Sequence, residues 1–537
     1  MKNFKGIIAI SIAVCMLAAC SSASKNESTT ELKENTAIAE SVTEVDTSIN
    51  KNNVNLTDQE IIDTIVDCFM PLTKIPRPSH HEEKISAYLY DWAKNAGFNP
   101  VKDSVNNIMF DVPATKGLED KPLVILQGHM DMVVAVEDDK TFDPLNDTIT
   151  AIRNDEKGTL TADGTSLGAD DGAGVATILS VAEGKMEHGP LRMLITVDEE
   201  DGMGGAFNMS KDWLDGATYL INIDNEESDD VLVSTAAGDE IIATKKIDFS
   251  NTICDKALSI TISNLKGGHS GVEIDKGRLN GIIGLATLLK QLDDEGIAYE
   301  LASFEGGTAA NAIPAEVNTI IVVNADDVDK INSKVTEYNK SLNDKYKGIE
   351  ENINIDISVV DELPKVVSKE EKDNLIKFIT EVINGVYTMS NDMEGLVESS
   401  SNLGIVELNK DGIYIYINNR SSSPEKEIEI NDSQISLAKD CGYEIETTKT
   451  AEPWKFDPNS KLLKICKEVY KEENGEDIKV VAVHAGLECG CFKKMKPDLD
   501  MISLGPDLTD VHSINETLYL NSIPKVWRLI EGILKSV

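Results

Sequence analysis

The segment LVILQGHMDMVV (residues 123–134) closes an apolar run with His129 and Asp131, an imidazole and a carboxylate one residue apart. Other apolar runs end in a similar way. The run at 191–197 leads into Asp198, Glu199, Glu200 and Asp201, and the run at 219–223 into Asp224. The run at 480–483 is followed by His484, and the run at 501–504 by Gly505, Pro506, Asp507 and then His512. SLGADDGAGVA (166–176) adds Asp170 and Asp171 among small residues that let a backbone approach a ligand closely. It is not a dinucleotide loop, because Thr177 stands where the third glycine belongs.

Taken singly, these features are ordinary: a polar strand end, a solvated acidic turn, a helix cap. Taken together, five strand ends bring imidazoles and carboxylates to one edge of a sheet, where open α/β sheets bind ligands. That pattern predicts a metal site. Mixed imidazole and carboxylate donors without thiolate suit catalytic zinc, with Mn2+ or Co2+ as substitutes. Two histidines and three carboxylates suffice for two ions sharing a bridging carboxylate, a pair that acidifies a water and polarises a carbonyl. Hydrolysis also needs a carboxylate that is not a ligand to carry the water's proton. DEEDG supplies two adjacent glutamates, one for each task.

The elements that must position these groups follow from the pattern along the chain. At 537 residues more than one core is expected. Residues 58–236 alternate buried strands with helices, as an α/β domain with a mainly parallel sheet does. Residues 237–450 carry half-exposed strands such as ALSITISNL and GIYIYINN, with helices between, and read as an inserted α+β lid. Residues 451–537 return to buried runs and complete the first domain. Ser79 and Glu82 in SHHE have capping-box spacing and predict a helix that starts there, with His80 and His81 in its first turn. The run at 478–483 reads as a fully buried strand. Cys489 and Cys491 are separated only by Gly490 in an expected strand, and no bridge is expected between them.

The N-terminus is read as an address. Lys2 and Lys5 precede a short apolar stretch (7–19) that ends in Leu17-Ala18-Ala19-Cys20. LAAC resembles the lipobox of bacterial lipoproteins, so residues 1–20 are expected to be a signal peptide, with lipidation at Cys20. Residues 21–57 are rich in Ser, Thr, Asn and Glu, lack aromatics, and read as a tether. The chain is thereby expected outside the cytoplasm, anchored to a bacterial cell membrane. Acidic residues outnumber basic ones 93 to 51, for a net charge of −42, which argues against nucleic acid as a partner.

As an ordered set, GHMD, GADDG, DEEDG, NID, GGHSG, HAGLECG and DVHS resemble the two-zinc metallopeptidases that include carboxypeptidase G, aminoacylase, peptidase T and the aminoacyl-histidine dipeptidases, and are most similar to the last group. The resemblance covers nearly all of residues 58–537. It implies hydrolysis of dipeptides, Xaa-His among them, and is compatible with a homodimer. It implies His129 and Asp224 on one zinc, Glu200 and His512 on the other, Asp170 bridging, Glu199 as general base, and Asp131 orienting His129. It further implies a cis peptide between Asp170 and Asp171 and an oxyanion contact from His269. Asn311 and Arg420 would hold the substrate's carboxylate end, and the backbone of Gly486 would touch substrate. Two departures stand out: Ile514-Asn515-Glu516 follows DVHS where relatives carry proline, and a lipoprotein-like start replaces the usual cytosolic one. An N-acyl amino acid deacylase of the same fold, or a solute-binding lipoprotein without catalysis, are the alternatives. The general base argues against the second.

Overall fold

The computed structural model describes residues 56–537, so the signal, Cys20 and nearly all of the tether lie outside the described residues. The first helix, Asp58–Leu72, starts in a capping box: Thr57 and Glu60 satisfy each other's backbone N–H.

An eight-stranded sheet has the order Val101–Lys102, Ile108–Val112, Leu191–Thr196, Leu123–His129, Ala217–Asn222, Asp500–Ser503, Asp230–Thr235, Lys479–Val483. Its four central strands, from Leu191–Thr196 to Asp500–Ser503, are parallel. Both faces are covered, as a parallel sheet requires. On Leu123–His129, Val124 and Leu126 face one core with helices Asp58–Leu72, Ala169–Ala182, Lys461–Asn474 and Ile523–Ser536. Ile125 faces a second core with Trp213, Leu214, Phe492 and Met501. That two-sided burial is why these strands read as continuous apolar runs.

The outer strands break the expected pattern. Asp230–Thr235 runs antiparallel to Asp500–Ser503, and Lys479–Val483 is parallel to Asp230–Thr235. The strand before His484 therefore points opposite to the central four, so His484 does not join their rim. Nor is that strand fully buried: it is the sheet edge, and Val483 is 38% exposed. Cys489 and Cys491 lie on a helix, Glu488–Met495, both buried, and the six cysteines among the described residues are free.

All nine strands of a second, antiparallel sheet fall between Ala237 and Ala451. Helices Gly281–Asp294, Val328–Lys345, Lys369–Glu381 and Pro424–Asp440 share its core, through residues such as Leu288, Val335, Phe378 and Ala438. A small four-stranded sheet completes the site. Its hairpin, Leu508–Thr509 and Thr517–Tyr519, carries His512 in the connecting loop. The architecture is thus α/β with a mainly parallel central sheet, plus an α+β lid-like domain.

Candidate metal centre

His129 ends its strand in register with Thr196, and its side chain is 1% exposed. Its backbone N–H donates to Asp171 Oδ2 (3.1 Å), while Asp171 Oδ1 accepts from Gly174 N (3.0 Å). Asp171 thereby ties the strand end to the start of the following helix. Only glycine fits around it: a Cβ at Gly128 would lie 2.2 Å from Asp171 Oδ2, and one at Gly174 would lie 2.1 Å from Oδ1. The peptide between Asp170 and Asp171 is cis, and the two carboxylates have separate partners.

Asp170 stands between the histidines. His129 Nε2 is 3.2 Å from its Oδ1, and His512 Nε2 is 3.0 Å from its Oδ2. Asp224 Oδ1 lies 3.8 Å from His129 Nε2, and Glu200 Oε2 lies 2.8 Å from His512 Nε2. The result is two triads with metal-ligand spacing, His129–Asp170–Asp224 and Asp170–Glu200–His512, sharing Asp170. Asp224 Oδ2 and Glu200 Oε1 are buried without a hydrogen-bond partner among the described residues. Orphaned carboxylate oxygens beside imidazoles, with no thiolate, fit divalent cations. Burial, followed by neighbouring acids, raises the carboxyls of Glu199 and Asp224 well above their usual range, with His129 opposing. Burial opposes a charge on His129, but Asp224, Asp131 and Asp170 outweigh it and raise the ring's pKa. Hydrogen bonds to Asp170 and Glu200 lift His512 to about 10. Such crowding of buried acids is relieved by cations.

Asp131 contacts more than one residue of the triads. Its Oδ1 lies 3.3 Å from His129 Nδ1 and accepts from Glu199 N (3.1 Å). Its Oδ2 accepts from Glu200 N (3.3 Å) and Ser79 Oγ (2.8 Å). This overturns the expected capping box. Ser79 serves Asp131, Glu82 accepts from His80 N and Asp198 N, and the helix begins only at Glu83. His80 lies outside that helix, at φ +67°, and bonds Asp198 (3.0 Å) and Asp201 (2.7 Å). A side chain that stabilises the acidic turn has been taken from the helix start.

The lid-like domain gathers a second group. His269 Nδ1 accepts from Gly271 N and Val272 N, which leaves the ring proton on Nε2. The loop of Asn311 pairs with it: Ser270 N donates to Asn311 O (2.8 Å), and Asn402 Nδ2 holds the carbonyls of Ala310 and Ala312. Asn311 itself is exposed. Arg420 is largely buried, its Nε has no partner among the described residues, and its Nη1 reaches only the His484 carbonyl, at 3.5 Å. His484 bonds Ser400 Oγ across to this domain (2.7 Å), and burial with Arg420 pushes its pKa down to about 3. It is a neutral strut. Gly486 packs tightly against Met203, whose N–H donates to the Glu199 carbonyl.

Three supporting groups escaped the sequence reading. Arg77, 2% exposed, donates to the carbonyls of Met130, Asp131 and Gly168. Glu488, fully buried, accepts from Gln127 Nε2 (2.6 Å) and Thr196 Oγ1 (2.7 Å) beneath the His129 strand end. Glu516, 2% exposed, accepts from four consecutive backbone amides, those of Leu167, Gly168, Ala169 and Asp170. Only Glu516 had a signal: its place four residues after His512, in the stretch that departs from relatives.

A family model described as peptidase family M20/M25/M40 matches residues 125–536. The cytosol non-specific dipeptidase of Escherichia coli (strain K12) is 35% identical over 474 residues, 88% of this chain and 97% of that protein. The crystal structure of aminoacylhistidine dipeptidase from Vibrio alginolyticus superposes with a TM-score of 0.83 at 31% identity, covering 89% of this chain and 98% of that one. A tripeptidase from Staphylococcus aureus shares the fold at 18% identity and a TM-score of 0.50, covering 90% of this chain and 98% of that one.

Proposed function

The chain belongs to peptidase family M20/M25/M40 and is a peptide-bond hydrolase, and on that premise we propose that it is a zinc-dependent dipeptidase. The observation that carries the reading is the pair of triads sharing Asp170, with Glu199 beside them and outside both. His129 and Asp224 would hold one ion, Glu200 and His512 the other, and Asp170 both. Zn2+ suits the donor set, with Mn2+ or Co2+ as substitutes. Ions bound there would polarise the scissile carbonyl and acidify the attacking water.

The chain's own groups do the rest. Glu199 takes the water's proton and passes it to the leaving amine. Asp131 orients His129 and holds the amides of Glu199 and Glu200, so base and ligand share one anchor. His269 offers its Nε2–H to the developing oxyanion. Arg420 and Asn311 take the substrate's terminal carboxylate, and the Gly486 backbone lines the cleft. The names of the two relatives more than 30% identical support dipeptides as substrates, and Xaa-His dipeptides among them. The LAAC stretch supports a lipid anchor at Cys20 and a place on the outer face of a bacterial membrane. Among the described residues no helix is long and apolar enough to cross a membrane. A homodimer is carried by the family resemblance alone.

The test is hydrolysis of a dipeptide panel beside an N-acetyl amino acid panel, each with and without chelator. Dipeptides should be cleaved, chelator should abolish the activity, and zinc should restore it. Preference for the N-acetyl panel would make the chain a deacylase. Full activity after metal removal would reject the metal centre.

A further inference from the structure

Of the side chains that make up the two triads, His512 has the weakest local support. His129 ends a central strand, Asp224 follows another, and Glu200 is held through its amide by Asp131. Asp170 is fixed by the helix that begins beside it and by the bonds of Asp171 to His129 N and Gly174 N. His512 instead sits in the loop of a short hairpin with two paired positions, at φ +60°, with its side chain 46% exposed. Something must hold that loop against the ligand loop.

Glu516 lies at the far end of the same loop. Its Oε2 accepts from Leu167 N (2.7 Å) and Gly168 N (2.9 Å), and its Oε1 from Ala169 N (2.6 Å) and Asp170 N (3.2 Å). Successive amides at the start of a helix form an anion-binding concavity. Here the anion is a side chain of the hairpin. Arg77, buried and bonded only to carbonyls, donates to Gly168 O within that same turn and interacts favourably with Glu516. A Cβ at Gly168 would lie 2.5 Å from Arg77 Nη2, so the turn leaves room for nothing else.

We propose that Glu516 is a positioning residue that docks the His512 hairpin onto the Asp170 turn, and so sets the affinity of the Asp170–Glu200–His512 position selectively. The inference rests on the metal-centre reading above. Without Glu516 the hairpin loses its anchor, whereas Asp170 keeps its helix and the bonds of Asp171. The His129–Asp170–Asp224 position should therefore keep its affinity.

The experiment titrates zinc into chelator-stripped full chain against a chromophoric indicator, for wild type, Glu516→Gln, Glu516→Asp, His512→Ala and His512→Ala/Glu516→Gln. Glutamine has one acceptor oxygen and turns an NH2 toward N–H donors, so it can serve only part of the concavity. Aspartate keeps the charge but is one methylene shorter. Wild type should bind two ions. Glu516→Gln should keep one at wild-type affinity and weaken the other about 10–100-fold, the range for outer contacts of metal ligands. Glu516→Asp should show a smaller loss at the same position. Adding Glu516→Gln to His512→Ala should change nothing further, because the two act through one loop. A purely architectural glutamate would weaken both positions together and add to His512→Ala, and either result overturns the proposal. So does unchanged binding by Glu516→Gln, or a Glu516→Gln chain whose metal-free circular dichroism shows loss of fold. Wild type that binds no zinc rejects the metal centre itself, a separate failure visible before any variant is compared.

Discussion

Neighbouring acids in this site divide their work by direction. Asp170 faces the histidines, whereas Asp171 faces the backbone and fastens strand to helix. The glycines of QGHMD and GADDGAG follow from that fastening, since they leave room for the Asp171 carboxylate. Gly128→Ala would drive its new methyl to 2.2 Å from Asp171 Oδ2, with both groups buried. We expect a loss of about 1–3 kcal/mol, the usual range for an overpacked core, read by urea denaturation of the metal-free chain. Unchanged stability would mean that Asp171 can swing away at no expense. On the proposed mechanism Glu199 and Glu200 divide their work as well. Glu199→Gln should retain two zinc ions while turnover falls roughly 10²–10⁴-fold, the range for loss of a general base. Metal analysis beside steady-state kinetics checks both halves, and near-normal turnover would move the proton to another group.

At the scale of elements, the candidate metal centre was legible because the central strands are buried on both faces, and three of the four end at or within a few residues of a candidate ligand, His129, Glu200 or Asp224. Periodicity exposes such runs, and parallel pairing puts their ends together. The edge was not legible in the same way. The strand before His484 has an apolar composition like the others, and nothing in its residues reports that it runs in reverse. Ser79 and Glu82 misled for a related reason: their spacing fits a helix cap, but Asp131 and the Asp198 turn compete for the same side chains and win. Glu516 and Arg77 were missed because their partners are backbone groups, which carry no residue type to read. His484, displaced from the rim, joins the sheet edge to Ser400 as a neutral ring. Its pKa is about 3 folded, against about 6.5 for an unperturbed histidine. Between those values the unfolded chain binds the extra proton, so this residue's contribution is intact above about pH 6.5 and declines as pH falls toward 3. His484→Gln keeps a polar partner for Ser400 without a titrating ring. Thermal midpoints of metal-free wild type and variant should therefore converge as pH is lowered from 7 to 5, and parallel curves would show that His484 takes up its proton as readily in the fold as in the unfolded chain.

At the scale of the whole molecule, two regions outside the metal centre bear on which substrates are met and which fit. The first is the N-terminus: Cys20→Ala should move the protein from the membrane fraction to the soluble one, because a single unmodified segment offers no stable lipid anchor. Membrane association that survives the change would point to an uncleaved apolar segment at 7–19. The second is the lid-like domain, which on the proposed reading sets substrate length. Arg420 is a largely buried cation whose Nε has no partner among the described residues and whose nearest acceptor is a backbone carbonyl at 3.5 Å. A guanidinium placed so has its bidentate fork free for a carboxylate. If the substrate's terminal carboxylate lies there while its scissile carbonyl lies at the triads, the span between the two domains fixes how many residues follow the scissile bond. One residue satisfies both ends. A longer peptide must give up either the carboxylate contact or the alignment of its carbonyl. Dipeptides should therefore be cleaved well and tripeptides poorly. Arg420→Ala should raise KM for dipeptides and also lower kcat, because the carboxylate contact both binds substrate and brings the lid into its working position. The same variant should narrow the gap between dipeptides and tripeptides, since the longer substrate has no carboxylate contact to lose. Kinetics on a matched series of two, three and four residues reads all three effects. Equal rates across the series in wild type would show that the cleft is open at its carboxylate end and that Arg420 does not measure length.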